Sequence, residues 1–341
     1  MTRTAGSSAG PTAGDTGGRP EGRRAGRPGG RLRRTLLAGL VAAAVVLPVS
    51  AAASPDVPAP APAAFAEHTA LPARYAANLS GLAEAARMAQ DAGRTGRAAK
   101  LRAMEADGTA RFLAFDGRGR GRAVEVLGDL ESADRVAVLV PGSDTTLDTY
   151  QRFRTGAVAL HQRLQAEHPR SAVVAWLGYD TPGTVSTTVL TADRADAAAA
   201  ELGPFLDHLG QAAAPGARIS LLCHSYGSVV CARTGTGPQV SDMALFGSPG
   251  TGAGSAAELP TGARVWAGRG GSDWIGGVPH VRLGGVGFGA DPVDPAFGAR
   301  PFDAGPGGHS DYLKPGTASL DSLARIALAA PAPTTPEVPH A

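Results

Sequence analysis

The chain is short of several things, and each shortage closes a line of interpretation. It has two cysteines in 341 residues, and no histidine or cysteine cluster has metal-ligand spacing, so no metal is expected. Lysine occurs twice against thirty arginines; with the abundant alanine, this reflects genomic base composition and carries no functional weight. Charge of one sign is also lacking. The formal net charge is +2, and residues 1–53 hold eight arginines and two acids. Residues 54–341 are therefore left with 24 basic against 28 acidic side chains, a net −4. A folded part of that sign gives no support to a nucleic-acid surface. The apolar stretch 35–49 is shorter than the roughly 20 residues of a membrane span. No internal repeat and no long amphipathic lid segment is evident, which argues against a lipase-type cover. Gly284-Gly285-Val286-Gly287-Phe288-Gly289 has nucleotide-loop spacing, but Pro292 and Pro295 follow where a helix would be needed. It reads as a loop, and no cofactor is expected.

What is present suffices for a globular core: 43% of the residues are hydrophobic, while 47 glycines and 27 prolines predict long loops. Arg31-Leu32-Arg33-Arg34, the apolar run at 35–49 and Ala51-Ala52-Ala53 are the three parts of a secretory signal, with cleavage expected near Ala53. Arg33-Arg34 loosely resembles a twin-arginine signal, so the export route stays open, and an uncleaved anchor is the alternative. The expected product is secreted or held in the cell envelope, with no stable membrane span after cleavage. Residues 54–67 read as a Pro/Ala-rich linker, 68–109 as a helical segment, 110–330 as the main domain and 331–341 as a disordered tail. Tyr75, Leu79, Leu82, Ala86 and Ala89 fall on one helical face, the pattern of a hairpin that braces the main domain.

From residue 110 strands and helices alternate. Strands are predicted at 111–115, 123–127, 136–140, 172–177, 219–223, 240–246 and 264–267, and helices at 147–167, 192–211, from 226, and 320–328. The alternation predicts a mainly parallel sheet covered on both faces, with the first two strands antiparallel.

Ile219-Ser220-Leu221-Leu222-Cys223-His224-Ser225-Tyr226-Gly227-Ser228-Val229-Val230 encodes a strand, a sharp turn and a helix, with Ser225 at the apex. A serine hydroxyl becomes nucleophilic when such a turn holds it exposed beside a base and oxyanion donors. Small residues must flank it at two positions' distance; Gly227 meets that demand, and Cys223 stands where glycine is usual. Val136-Ala137-Val138-Leu139-Val140-Pro141-Gly142-Ser143 is a buried strand ending in Pro-Gly, where one oxyanion donor belongs: Ser143, or Gly142. The Tyr226 N–H is the other candidate. Asp273 follows the strand at 264–267 and a glycine bend, and His309 lies on a glycine-rich loop before the last helix. Ser225, Asp273 and His309 then stand in the chain order nucleophile, acid, base.

Competing acids are Asp291, Asp294 and Asp303, each more often a turn residue. His280 is the runner-up base; His161, His168 and His208 read as solvated helix-side residues, and His224 as packing or bonding locally. Residues 179–191 are expected to border an acyl pocket, with Tyr179 and Asp180 as substrate contacts. The helix carrying Cys231 is expected to pack back along the strand that ends at Cys223, which allows a bridge, but two small buried, unbonded side chains are the expected state.

With these pieces in order, the chain resembles the α/β-hydrolase superfamily. It is more closely similar to an uncharacterised exported family of GC-rich bacteria with a G-H-S-Y-G-S nucleophile turn. The matching pieces are Val140-Pro141-Gly142, Gly178-Tyr179-Asp180-Thr181-Pro182, His224-Ser225-Tyr226-Gly227-Ser228, Gly247-Ser248-Pro249-Gly250, Ser272-Asp273 and Gly308-His309-Ser310-Asp311-Tyr312. The resemblance implies an α/β fold and a Ser-Asp-His hydrolase acting on a small-molecule or lipid-like ester. An acyltransferase with the same residues, or a non-catalytic binding module on the scaffold, are the alternatives; the oligomeric state is left open.

Overall fold

The computed structural model describes residues 57–329 except 67, 68, 107, 283 and 285; the expected export signal and C-terminal tail lie outside the described residues. Among the described residues two helices come first, α1 (Leu71–Asp91) and α2 (Thr95–Glu105). They are followed by β1 (Phe112–Asp116), β2 (Arg122–Leu127), β3 (Arg135–Val140), α3 (Tyr150–Gln165), β4 (Ser171–Leu177) and α4 (Asp193–Ala212). The chain continues through β5 (Arg218–His224), α5 (Tyr226–Cys231), β6 (Val240–Phe246), β7 (Arg264–Gly268), β8 (Arg300–Pro301) and α6 (Ala318–Leu328).

One eight-stranded sheet runs in the order β1-β2-β4-β3-β5-β6-β7-β8. β1 pairs antiparallel with β2, and β2 with β4. Every pair from β4 onward is parallel. Strands covered on both faces read as continuous apolar runs: every residue of β4 is buried, and all of β3 beyond Arg135. The two-residue period sorts them into two cores. Val136, Val138, Val140, Ile219 and Leu221 pack with Leu202, Leu206 and Leu209 of α4 and Val229 of α5. Ala137, Leu139, Leu222 and Phe246 pack with Leu160 and Leu164 of α3 and Leu320 and Leu323 of α6. A third cluster seats the helical hairpin, through Leu82, Ala85, Leu101 and Met104, on Phe112 and Phe115 of β1.

Three features differ from the sequence expectation. The helix expected at 147 begins at Tyr150, because residues 144–149 close a turn in which the Thr149 hydroxyl donates to the Asp144 carbonyl (2.8 Å). β8 is a two-residue edge strand, too short for periodicity to reveal and placed where a proline is tolerated. Cys223 and Cys231 are joined by a disulfide, with Cα atoms 6.5 Å apart, instead of lying unbonded. The usual burial of cysteine says nothing about pairing. Here residue 223 shares a core with α5, and the Cα separation is one a bridge spans.

Candidate active site

Five parallel strands, β4, β3, β5, β6 and β7, end at one edge of the sheet, and the loops leaving that edge carry the residues singled out from the sequence. Ser225 is held in a turn with φ 53° and ψ −125°, a conformation that non-glycine residues seldom adopt and that persists only where neighbours enforce it. Its N–H donates to the Phe246 carbonyl (2.9 Å), and its own carbonyl accepts from the Ser228 N–H (2.9 Å) and hydroxyl (2.6 Å). Gly227 is required sterically: a Cβ there would stand 2.6 Å from the Val140 carbonyl oxygen and 2.7 Å from that of Pro141. Gly142 is required for the same reason from the other side, since its Cβ would lie 2.6 Å from the Ser225 Cβ.

The structure brings Ser225, His309 and Asp273 into one hydrogen-bonded line. His309 Nε2 is 2.9 Å from Ser225 Oγ, and His309 Nδ1 is 2.8 and 3.0 Å from the two Asp273 carboxylate oxygens. A carboxylate only accepts, so Nδ1 carries the proton and Nε2 is left to accept from the serine hydroxyl. The Asp273 side chain is fully buried, and the Ile275 N–H also donates to it (2.9 Å). Gly247, at φ 57°, makes room for this assembly: its Cβ would lie 3.0 Å from Asp273 Oδ2 and 3.3 Å from His309 Cε1.

Two further residues hold the line in place, and neither role was anticipated. The Tyr312 hydroxyl donates to Asp273 Oδ2 (2.5 Å) and accepts from the Gly270 N–H (3.0 Å). Burial, with Asp273 beside it, pushes the Tyr312 pKa above the ordinary phenol value, so the hydroxyl stays a donor. Its sequence signal was its place three residues after His309, in the Gly308-His309-Ser310-Asp311-Tyr312 piece. His224, expected to pack or bond locally, does pack, and it also reaches across the site: its Nε2 donates to the main-chain carbonyl of His309 (2.8 Å). Its ring lies 4.8 Å from that of His309 and 5.2 Å from that of Phe246. Burial first, then the charge of His309, lowers its pKa to about 3.

The loop after β3 comes up against Ser225 through Gly142. Among the described residues, no hydrogen bond uses the N–H of Gly142, Ser143 or Tyr226, whereas the Asp144 N–H is taken by the Pro182 carbonyl (3.0 Å). Tyr179 is buried, and its hydroxyl donates to the Pro141 carbonyl (2.7 Å). Expected as a substrate contact, Tyr179 has its hydroxyl committed to bracing this loop. Asp180 is exposed; its carboxylate lies 4.0 Å from Arg194, which donates to its main-chain carbonyl (3.0 Å), and among the described residues no hydrogen bond or ion pair joins it to Ser225, His309 or Asp273.

The competing acids are engaged elsewhere. Asp291 pairs with Arg269 (2.5 Å), and His280 Nε2 lies 3.7 Å from it. Asp294 and Asp303 accept main-chain N–H groups of their own turns. His208 is exposed as expected, but His168 pairs with Asp134 and the His161 Nε2 is buried.

This sheet, with the strained serine turn at the end of β5 and the histidine on the loop before the last helix, has the arrangement of the α/β-hydrolase fold. A family model described as "Alpha/beta hydrolase" matches residues 116–283, a span that includes Ser225 and Asp273 and stops short of His309. An uncharacterized protein of Mycobacterium tuberculosis strain H37Rv is 32% identical over 247 residues, 61% of this chain and 37% of that protein. An uncharacterized protein of Mycobacterium bovis is 31% identical over 140 residues, 37% of this chain and 51% of that one. The chain thus spans well under half the length of the first relative. Among solved structures, esterase PE8 aligns at 19% identity with a TM-score of 0.41, over 58% of this chain and 94% of that chain. Esterase LipW from Mycobacterium marinum aligns at 15% identity with a TM-score of 0.40, over 72% and 89%.

Proposed function

We propose that the protein is a serine hydrolase that cleaves carboxylic esters through an acyl-enzyme on Ser225. The observation that carries this reading is the contact of His309 Nε2 with Ser225 Oγ at 2.9 Å, with Asp273 at 2.8 Å on the far nitrogen. In the first half-reaction His309 takes the hydroxyl proton as Oγ attacks the ester carbonyl. It then returns that proton to the departing alcohol as the C–O bond breaks. A water molecule, deprotonated by the same nitrogen, releases the acid and restores the serine. Asp273 holds the tautomer and stabilises the imidazolium without taking the proton. The N–H groups of Tyr226 and of Ser143 or Gly142 are the candidate oxyanion donors, each worth roughly 3–4 kcal/mol in the transition state.

The protein is further proposed to be exported. The secretory pattern at residues 31–53 and the Cys223–Cys231 disulfide support an oxidising compartment. A fluorophosphonate probe is expected to label the protein on Ser225, and Ser225→Ala to abolish both labelling and ester hydrolysis. Labelling that survives the substitution would overturn the assignment.

A further inference from the structure

The exposed large apolar side chains among the described residues are Val185, Leu190, Trp274, Val281 and Val286, 48% to 78% accessible. All five lie on the two segments that leave the carboxyl ends of β4 and β7, the sheet edge at which β5 delivers Ser225. Large apolar residues scattered singly over a surface need no explanation, but their confinement to the rim of one site does.

The two segments are joined to each other and to the site. The Gly287 N–H donates to the Leu190 carbonyl (3.0 Å), and a Cβ on Gly287 would stand 2.1 Å from the Val281 carbonyl oxygen. The main chain at Leu190, Val281 and Val286 therefore meets at one glycine. Tyr226, the residue after the nucleophile, ties both segments down: its hydroxyl donates to the Thr191 carbonyl (2.7 Å), and its ring packs edge-on against Phe288 (5.7 Å). On the other side, the Trp274 ring lies 4.7 Å from the His309 imidazole. Residues 181–192 and 283–290 contain no charged side chain, and Arg282, which follows Val281, is turned to the Gly252 carbonyl, to which it donates (3.1 Å).

Building on the ester-hydrolase reading, we propose that these two segments form an acyl-binding rim and that the substrate is an ester of a long, unbranched aliphatic acid. The carbonyl carbon would sit at Ser225 and the chain would run out along Leu190, Val281 and Val286. Each methylene buried there raises kcat/KM about fourfold, until the chain passes the end of the rim.

The experiment is a series of 4-nitrophenyl esters from acetyl to dodecanoyl, hydrolysed by the wild type, Leu190→Ser and the double variant Leu190→Asp/Val286→Asp. Melting temperature reports folding, and light scattering reports oligomeric state. The wild type is expected to prefer octanoyl over acetyl at least tenfold in kcat/KM. The double variant is expected to lower that ratio at least tenfold, and Leu190→Ser to lower it in the same direction. A flat or falling chain-length profile, with acetyl ester hydrolysed and Ser225 labelled, would overturn the rim and leave the hydrolase standing. So would an unchanged ratio in both folded variants. A wild-type dimer that the double variant turns to monomer at constant ratio would assign the rim to a second copy, against the proposal. Absence of both hydrolysis and labelling would overturn the hydrolase reading, and the rim with it.

Discussion

Replacing His224 by Gln should remove a defined part of the protein's sensitivity to acid. Burial, and then the charge of His309, lowers the His224 pKa from 6.5 to about 3, so the folded protein holds this ring neutral. A depressed folded value means that the unfolded chain binds the proton more readily. The contribution to stability is therefore full above pH 6.5 and is lost as pH falls from there toward about 3. At pH 5 the unfolded chain gains the free energy of protonating an ordinary imidazole, about 2 kcal/mol, while the folded ring gains almost none. The figure is insensitive to the folded value so long as that lies well below 5. Gln keeps an N–H donor for the His309 carbonyl that His224 now reaches at 2.8 Å, but it does not titrate.

The assay is urea unfolding of wild type and His224→Gln at pH 8 and pH 5. The wild type should lose about 2 kcal/mol more than the variant across that interval, with the denaturant slope unchanged. Equal losses in the two proteins would refute the claim that His224 is held neutral by burial.

Tyr312→Phe removes the hydroxyl shared between Asp273 and Gly270, and should lower stability by roughly 1–3 kcal/mol while reducing kcat/KM on esters. Unchanged unfolding and unchanged kinetics would show that the hydroxyl is idle. Cys231→Ala opens a bridge between residues 8 apart in sequence. The loop-entropy relation puts the loss at about 2.5 kcal/mol, read from denaturation without reductant, and an equally stable variant would contradict it. Gly227→Ala drives a methyl against the Val140 and Pro141 carbonyls and should cost about 1–3 kcal/mol. It should also lower kcat by shifting the loop that carries Gly142 and Ser143, and wild-type kinetics in a folded variant would refute that.

Ser225, Asp273 and His309 were legible because each carries a local signature: a strand that breaks into a helix, a strand followed by a glycine bend, a histidine in a glycine-rich loop. The sheet was legible for a similar reason, since buried parallel strands announce themselves as unbroken apolar runs such as β3 and β4. The roles of Tyr312 and His224 were not, because they are set by partners 39 and 85 residues away. No periodicity or composition links such positions. The bond made by Tyr179 was hidden for a related cause. Its place at the end of β4 put it near the site, but only the fold shows that its hydroxyl is already committed to the Pro141 carbonyl.

Cys223 marks where a local rule needs a structural reason. Small residues are usual two positions before and two after such a serine, but here the two demands differ. On the Gly227 side lie main-chain carbonyls at the end of β3, within 2.7 Å of where a Cβ would stand, and nothing but glycine fits without displacement. On the Cys223 side lies the α5 helix, and the side chain found there is fully buried and bonded to Cys231 of that helix. The departure from glycine therefore falls where a side chain can be housed, and it fastens the helix that follows the nucleophile to the strand that precedes it. A bridge of this kind forms and persists in an oxidising compartment, so the residue that weakens the serine motif on paper is the one that ties the proposed site to the proposed export of the chain.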